Sequence, residues 1–366
     1  MEELVANLHI HTRYSDGAAT HRELQKIAFE AGLDVLITTD HNVYVEEMDG
    51  YFNAQKRKVL LLVGEEIHDP NRVPQKNHAL VFGVNRSLAA FAPEPQSLID
   101  QVNKAGGMAF LAHPYEDALP RFDEPDISWV DWGVTDFTGL ELWNGSSEIK
   151  TASTNTLKAI FYALSPRHLA HHPHPLTIRK WDELTTSGKR VVAIGGSDAH
   201  ALSARLGPLH AIIYPYPFHF QSINTHLLVA NPLSGDLLTD RRMVWNALRD
   251  GHAFIGYDYP APTCGFRFTA QTRDQNAIMG DEIILGGGVT FQVRLPEKTE
   301  CRLIKDGATI KTWKQQEICT YLTNQPGVYR VECHIHYLGK LRAPVGRRRA
   351  STRPAAYTAR PSPPCS

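Results

Sequence analysis

Histidine and carboxylate side chains follow short apolar runs near the start of the chain. His9 and His11 alternate with apolar residues in VANLHIH, so a strand would turn both imidazoles to the same face. Asp16 follows in the turn SDG, and His41 ends the segment TTDH. Two imidazoles on one face can bind one metal ion, and further ligands of these types would complete its coordination. The pattern therefore predicts a metal site.

The same arrangement recurs downstream, where ligand-type residues lie at or next to the ends of later apolar runs. Glu66 lies near the end of VLLLVGEEIH, His78 opens HALVFGV, and His113 follows the apolar part of GMAFLAHP. Asp198 and His200 end RVVAIGGSDAH. The predicted metal set has six histidines, two aspartates and one glutamate: His9, His11, Asp16, His41, Glu66, His78, His113, Asp198 and His200.

Such a set can hold up to three divalent ions at about four or five ligands each, with water completing the coordination. Imidazole and carboxylate ligands suit zinc, manganese or iron, and the sequence does not choose among these metals. The set contains no cysteine, which argues against a structural zinc site. Glu65 competes with Glu66 for one position, because a strand turns only one of them to a given face. We favour Glu66.

Two other groups of histidines are interpreted as surface features. The run HLAHHPHP at 168–175 contains two prolines and follows no strand, so a surface loop is expected. His334 and His336 form a second HxH pair, but no TDH or SDAH segment follows them. The sequence also has no GxSxG elbow and no phosphate-binding glycine loop, so a serine nucleophile and a P-loop are not predicted.

The elements that must position these residues alternate between strands and helices. Helical spacing is found in HRELQKIAFEAGL (21–33) and PQSLIDQVNKAGG (95–107), and both segments approach a glycine stop. Strand–helix alternation predicts an α/β fold, a distorted and nearly closed barrel of seven units, with functional residues at the carboxyl ends of its strands. The expected buried strands lie at 5–11, 34–41, 59–68, 78–84, 107–114, 139–144 and 190–200.

The pattern changes in the last third of the chain. Short strand-like segments separated by Gly, Pro and Asp turns predict a small all-β sandwich there, with strands at 264–270, 289–295, 301–305 and 327–338. We predict three regions: the barrel at 1–258, the β-sandwich at 259–340 and an Arg/Pro-rich tail at 341–366. The tail has no periodicity and is expected to be disordered. For its origin, we favour a shifted reading frame over a nucleic-acid-binding arm.

Bulk properties exclude some classes of protein. The net charge is −1 over 366 residues, which argues against a generally basic nucleic-acid binder. No apolar run approaches the ~20 residues of a membrane span, and the first residues do not resemble a secretion signal. The five cysteines are odd in number and form no CxxC pair, so we expect reduced thiols and a cytoplasmic location.

Six segments together resemble the polymerase-and-histidinol-phosphatase (PHP) superfamily, in family order over residues 5–215: HIHTRYSDG, TTDHN, GEEIH, NHALVFG, LAHP and GGSDAH. The resemblance implies a distorted (β/α)7 barrel with a trinuclear metal centre. It assigns one ion to His9, His11, Glu66 and Asp198. A second would be held by Glu66, His78 and His113, and a third by Asp16, His41 and His200. The segment ELWNG and the β-domain resemble a branch that includes carbaryl-hydrolase-like proteins.

A metal-activated water that hydrolyses phosphate esters is the expected chemistry. Asp198 or His200 could pass a proton to the leaving group through a water. Arg205 is a candidate for binding the substrate phosphate, and an ordinary salt bridge is the alternative. Glu141 and Asn144 are candidates to line the substrate pocket, and helix capping or loop hydrogen bonding is the alternative for both.

The resemblance implies phosphorylated substrates: 5′-nucleotides, nucleoside bisphosphates, short oligonucleotides degraded from the 5′ end, or small-metabolite phosphates. The weak overall charge favours small substrates, because contacts to a long phosphate polymer usually need basic partners. Two other functions stay open. One is carbamate, ester or amide hydrolysis by the same activated water, and the other is metal binding without turnover. The oligomeric state is not predicted.

Overall fold

The computed structural model describes residues 1–54, 57–169, 172–206, 209–285, 287–338 and 340–342. Within these ranges, residues 121, 202–206, 209–211 and 340–342 are described by their backbone only. Strands and helices are interspersed up to Tyr257, with runs of consecutive strands between some of the helices, and only strands are described from Arg267 onwards. The predicted mixed α/β class is therefore confirmed.

The first of two large sheets contains six strands. In spatial order they are β13 (Ala253–Tyr257), β12 (Ile223–Val229), β1 (Glu2–Asn7), β2 (Val35–Thr38), β4 (Arg57–Val63) and β3 (Gly50–Ala54). The central strands β1, β2 and β4 are parallel, and the remaining pairings are antiparallel. Every residue of β2 is buried, as expected for a strand covered on both faces.

The second large sheet contains five strands. Their order is β5 (Glu65–Ile67), β6 (Ala79–Phe82), β7 (Met108–Leu111), β8 (Gly139–Asn144) and β9 (Val192–Gly196). Strands β7, β8 and β9 are parallel, whereas β5, β6 and β7 pair antiparallel. Because β6 runs against its neighbour β7, its first residue lies at the same edge of the sheet as the last residue of β7. A ligand before β6 can therefore meet ligands that follow other strands.

The two sheets meet next to the predicted metal residues. Ile10 bridges to Ala199 and His41 bridges to Glu66, each as a single pair of residues. Strand β4 continues into β5 through Gly64, where a Cβ atom would lie only 2.6 Å from the Phe82 ring. Both sheets are open in the described structure, so the closed seven-unit barrel stays a prediction.

Seven helices are described, of which two were predicted from their spacing. Helix α1 begins with a capping box between Thr20 and Glu23 and ends at Gly32, whose φ is 94°. Both predicted helices are confirmed, and each ends two or three residues before its predicted limit because the glycine segment lies outside it. The helices are α1 (His21–Ala31), α2 (Pro95–Lys104), α3 (Gly145–Ala152), α4 (Thr156–Leu164), α5 (Pro175–Thr186), α6 (Tyr216–Phe220) and α7 (Leu237–Asp250). A hairpin of β10 (Leu202–Leu206) and β11 (Leu209–Ile213) precedes α6.

The C-terminal strands form an antiparallel sheet whose two long strands were not predicted as such. The sequence predicted separate strands at 289–295 and 301–305, but they are parts of one strand with register shifts between Arg294 and Cys301. Strand β17 was missed because its side chains are mostly exposed and polar, without the alternation that marks a strand. The strands are β14 (Arg267–Gln271), β15 (Asn276–Ile278), β16 (Val289–Lys305), β17 (Ala308–Thr323), β18 (Tyr329–Tyr337) and β19 (Lys340–Arg342).

The structure describes the first two residues of the predicted tail and four of the five cysteines. Leu341 and Arg342, predicted to open the disordered tail, belong to β19, and residues 343–366 lie outside the described residues. Cys301, Cys319 and Cys333 are free and buried, in agreement with the expected reduced thiols. Cys264 is disulfide-bonded, so the expectation does not hold there. No helix in the described ranges has the length and apolarity needed to cross a bilayer.

A buried ionic network joins the C-terminal sheet to the first sheet. His226 of β12 is fully buried, with Nδ1 2.9 Å from Glu3 Oε1 and Nε2 3.0 Å from Asp258 Oδ2. Glu3 also accepts hydrogen bonds from the backbone N–H of Gly265 and from Arg267 of β14. Burial alone would lower the pKa of His226, but the two carboxylates outweigh it and raise this pKa to about 9. The network therefore requires a charged imidazole.

This network makes the stability of the protein depend on pH. The folded-state pKa of His226, about 9, lies above the ordinary value of 6.5, so its contribution is complete below about pH 6.5 and is lost as the pH rises through about 9. We expect the difference in free energy of unfolding between wild type and His226→Gln to shrink by on the order of 3 kcal/mol from pH 6 to pH 10. Denaturant titrations at both pH values would measure it, and parallel pH profiles for the two proteins would contradict the assignment.

Candidate metal centre

The carboxylate of Glu66 lies at the centre of a cluster of histidines. Glu66 belongs to β5 and is buried, and five imidazole nitrogens from four segments of the chain lie within 3.2 Å of its oxygens. His9 Nε2 is 3.0 Å from Oε2, and His113 Nε2 is 3.0 Å from Oε1. The remaining contacts are made by His11 Nε2 at 3.2 Å, His41 Nδ1 at 3.2 Å and His78 Nδ1 at 2.9 Å.

Asp198 completes one group of possible ligands on the Oε2 side of Glu66. Its Oδ1 lies 3.4 Å from His9 Nε2 and 3.2 Å from His11 Nε2. One ligand atom from each of His9, His11, Glu66 and Asp198 lies within 4.8 Å of the others, and all four residues are buried. This is the group that the family resemblance assigned to the first ion.

A second group lies at the more open side of the cluster. Asp16 Oδ1 is 3.3 Å from His200 Nε2, and Asp16 Oδ2 is 3.7 Å from His41 Nε2. Together with His11, these residues offer four ligand atoms within 4.8 Å of one another. The group contains the three residues that the resemblance assigned to the third ion, and His11 joins them.

The remaining group differs from the one that the resemblance implies. His78 and His113 both contact Oε1 of Glu66, as implied. The compact group of possible ligands on this side, however, consists of His41, Glu66 and His78. His113 is not part of that compact group. The ring centroids of His78 and His113 lie 5.0 Å apart.

The nitrogen and oxygen atoms of the possible ligands are arranged better for binding cations than for hydrogen bonding to one another. His11 Nε2 and His41 Nδ1 are buried and make no acceptable hydrogen bond, although both lie 3.2 Å from Glu66. Among the described side chains, the carboxylates of Asp16, Glu66 and Asp198 form ion pairs with imidazoles and with no Lys or Arg. Glu66 and Asp198 are buried, whereas Asp16 is exposed. Buried carboxylates without a permanent cation need a metal ion or protonated partners.

In the absence of metal, protons on some imidazoles supply the positive charge. Burial opposes the charged form of His11, but Asp198 and Glu66 outweigh it and raise its pKa to about 9. Burial lowers the pKa of His41 to about 3, so this imidazole is neutral. Burial would raise the pKa of Glu66, yet the surrounding histidines hold it well below its usual value. Divalent ions would displace such protons, because metal ligands bind in their deprotonated forms.

The backbone is strained at two of the ligand positions. Asp198 has a φ of 52° and His113 a φ of 26°, in the left-handed region that non-glycine residues rarely adopt. The surrounding structure must hold such residues in place, and strained positions of this kind concentrate at functional sites. Hydrogen bonds from neighbouring strands do so here: the backbone N–H of His113 donates to Glu141 Oε2 at 2.9 Å.

Two residues of the site were not found from the sequence. Asp40 is buried and accepts hydrogen bonds from the backbone and hydroxyl of Thr12 and from Ser15 Oγ, each at 2.7 Å, so it fixes the loop that carries Asp16. Its place next to His41 in TTDH was the available signal. His68, which directly follows β5, is buried and stacks on His78 with ring centroids 4.3 Å apart. No spacing signal marked it.

The choice between two adjacent glutamates is explained by the pleat of β5. Glu66 points into the cluster, whereas Glu65 points away and accepts hydrogen bonds from Ser87 Oγ at 2.5 Å and from the backbone N–H of Leu88. Burial raises the pKa of Glu65 to about 7. The geometry therefore favours Glu66 as the ligand.

The structure does not place Glu141 and Asn144, two of the three residues predicted to contact substrate, at a substrate pocket. Glu141 and Asn144 of β8 are buried beneath the ligands, where Glu141 Oε1 lies 2.9 Å from His9 Nδ1 and Asn144 Nδ2 donates to Glu141 Oε2 at 2.9 Å. We therefore no longer expect them to line the substrate pocket. Arg205 lies in β10, and its side chain is outside the described residues.

The described residues of the histidine-rich run at 168–175 belong to none of the groups of possible ligands. His172 is exposed, with Nδ1 2.8 Å from the carbonyl oxygen of Pro173, and His174 caps α5 by accepting from the Leu176 N–H. Residues 170 and 171 lie outside the described residues. His334 and His336 lie in β18 and belong to none of the groups of possible ligands found among the described residues.

Comparisons with known proteins agree with the motifs. Residues 7–128 match the family model described as the PHP domain. An uncharacterized protein of Methanocaldococcus jannaschii is 26% identical over 150 residues, which cover 38% of this chain and 81% of that protein.

Two solved structures are similar to the chain at low identity. One is a two-domain protein from Bacteroides vulgatus that contains a predicted PHP-like metal-dependent phosphoesterase, with a TM-score of 0.42 and 15% identity over 91% of this chain and 89% of that chain. The other is an amidohydrolase from Chromobacterium violaceum with bound sulfate, with a TM-score of 0.30 and 16% identity over 58% and 92% of the two chains.

The two glutamates allow a matched test of the centre. Glu66→Gln should reduce the number of divalent ions per purified chain by at least one, because the amide removes a negative charge from the middle of the cluster. Glu65→Gln should keep the wild-type content, since its side chain bonds to Ser87 and Leu88. Elemental analysis measures both, and equal metal content in the two variants would argue against Glu66 as a ligand.

Proposed function

We propose that this chain, which carries a PHP domain over residues 7–128, is a metal-dependent phosphoesterase with a trinuclear centre. The observation that carries the proposal is the convergence of ligand-type side chains from many strand ends on the carboxylate of Glu66. Three groups of possible ligands share members there. Among the described side chains, Asp16, Glu66 and Asp198 form ion pairs with histidines and with no Lys or Arg. A mere core histidine would not require such an arrangement.

The groups suggest how up to three divalent ions would be held. The first would lie among His9, His11, Glu66 and Asp198, and another among His11, Asp16, His41 and His200. Glu66, His78, His113 and His41 would supply the remaining set. Zinc, manganese or iron would suit these ligands. When bound, such ions would activate a water and neutralise charge on phosphate oxygens.

Asp198 and His200 are the proposed groups for moving a proton. His200 belongs to the more open group and Asp198 lies next to it, with 16% and 11% of their side-chain surfaces exposed. His200 Nδ1 donates to the backbone carbonyl of Asp198 at 2.9 Å, which fixes the ring relative to that carboxylate. From this position either group can pass a proton through a water to a departing alkoxide.

The proposed substrates are small phosphate esters: nucleotides, short oligonucleotides degraded from the 5′ end, or metabolite phosphates. A nearly neutral chain offers few basic contacts for a long phosphate polymer. Arg205 stays a candidate for binding the phosphate, and a cytoplasmic location stays the expected one.

A substrate panel separates phosphate hydrolysis from the alternatives. The purified protein, loaded in turn with Zn²⁺, Mn²⁺ and Fe²⁺, would be assayed on phosphomonoesters, 3′,5′-bisphosphonucleotides, a short 5′-phosphorylated oligonucleotide and a naphthyl carbamate. We expect turnover of at least one phosphate ester and none of the carbamate. Turnover of the carbamate alone would replace the phosphoesterase by a carbamate hydrolase, and no turnover by the metal-loaded protein would favour a binding domain.

Two histidine variants link turnover to the metal centre. His41→Ala should lose bound metal and lower activity by at least about 100-fold, the upper range for groups that orient metal ligands. His172→Ala should change neither quantity, because His172 is exposed and contacts the carbonyl of its neighbour. Loss of activity without loss of metal in His41→Ala would point to a role other than metal binding.

A further inference from the structure

We propose that Glu141 is a positioning residue. It orients the ring of His9 as a metal ligand and holds the backbone of His113 by a hydrogen bond. This inference rests on the proposed metal centre but concerns a residue beneath it. Glu141 lies in β8, with 1% of its surface exposed, and so cannot contact a substrate in this arrangement. Its two carboxylate oxygens instead contact groups from two other ligand-bearing segments.

The first oxygen determines which nitrogen of His9 faces the metal. Glu141 Oε1 lies 2.9 Å from His9 Nδ1, while His9 Nε2 lies 3.0 Å from Glu66 and 3.4 Å from Asp198. A carboxylate can only accept, so Nδ1 carries the hydrogen of this bond. The lone pair of Nε2 is then directed towards Glu66 and Asp198, where the first ion would lie. Carboxylate–histidine pairs of this kind orient metal ligands and raise their basicity.

The second oxygen supports the strained ligand segment after β7. Glu141 Oε2 accepts from the backbone N–H of His113 at 2.9 Å, and this is the residue with a φ of 26°. It also accepts from Asn144 Nδ2 at 2.9 Å. One buried side chain thus joins the segments that carry His9 and His113, and Asn144 reaches on towards Asp198 Oδ2 at 3.4 Å.

The close packing of Gly196 against Glu141 and His9 independently supports a role for this carboxylate in the site. A Cβ atom at Gly196 would lie 2.6 Å from Glu141 Oε1 and 2.7 Å from His9 Cβ. Either distance is too short for a real contact, so a side chain there would displace the pair. The second glycine of GGSDAH therefore provides the space that Glu141 and His9 occupy, immediately before the strand delivers Asp198.

No other ligand histidine in the described structure has such a partner. His200 Nδ1 bonds to a backbone carbonyl, and both nitrogens of His41 face carboxylates of the metal set itself. His78 Nε2 and His113 Nδ1 have no hydrogen-bond partner among the described residues. Among the described contacts, Glu141 is therefore the one carboxylate outside the metal set that bonds to a ligand histidine.

The test replaces the carboxylate with an amide of the same shape. In Glu141→Gln the amide oxygen can still accept from His113, but the NH2 group would donate to His9 Nδ1 and so move the ring hydrogen to Nε2. We expect affinity for the tightest Mn²⁺ or Zn²⁺ ion to fall by about 10–100-fold. Competition titration with a chelator measures it on the full chain. Circular dichroism and thermal unfolding in EDTA show whether the metal-free variant is folded, which separates metal positioning from a general loss of structure.

Glu65→Gln and Glu141→Asp serve as controls. Glu65→Gln, also a buried glutamate but bonded outside the cluster, should retain wild-type affinity. Glu141→Asp keeps the charge on a shorter side chain and should bind more weakly than wild type but more tightly than Glu141→Gln. If Glu141→Gln does not fold, the comparison of Glu141→Asp with wild type carries the test.

Three results would contradict either the positioning role of Glu141 or the proposed metal centre. Wild-type affinity in Glu141→Gln, or in Glu141→Asp where only that variant folds, would overturn the positioning role and leave the metal centre intact. Equal losses in the two Glu141 variants would mean that the side chain fills space rather than accepts from His9. Failure of the wild-type protein itself to bind any ion would instead refute the proposed centre.

Discussion

A single buried carboxylate, that of Glu66, has to be balanced by positive charge, and much of the local structure follows from this requirement. Five imidazole nitrogens lie within 3.2 Å of it, and burial removes the water that would otherwise solvate its charge. Without metal, protonated histidines supply this charge: nearby carboxylates raise the pKa of His11 and of His113 to about 9, whereas burial keeps His41 neutral. Divalent ions between the nitrogens and the oxygens would satisfy all of these groups together.

The cluster depends on a layer of polar side chains that do not face its centre. Asp40 holds the loop after His11, and Glu141 holds His9 and the strained backbone of His113. Both carboxylates are buried, and their hydrogen bonds fix the segments that carry His9, Asp16 and His113. The ionic network around His226 has a different task, since it fastens the C-terminal sheet to β1 and β12.

The sequence was informative where ligand type and apolar strand coincided, as at His9, His11 and Glu66. It was uninformative where the signal was tertiary. Nothing local shows that Glu141 turns inwards under His9, that His68 stacks on His78, or that His113 approaches Glu66 from another side than His78. Strand β17 was missed because its exposed polar residues carry no period, and closure of the barrel depends on long-range pairings that no strand pattern specifies.

The most direct measurement is a crystal structure of the protein grown with Mn²⁺, with anomalous scattering recorded above and below the manganese edge. We expect an anomalous peak among His9, His11, Glu66 and Asp198, and further peaks at groups that contain His11 or Glu66. A map with the side chains ordered and no peak within about 3 Å of the Glu66 oxygens, a generous limit for a manganese–oxygen bond, would contradict it.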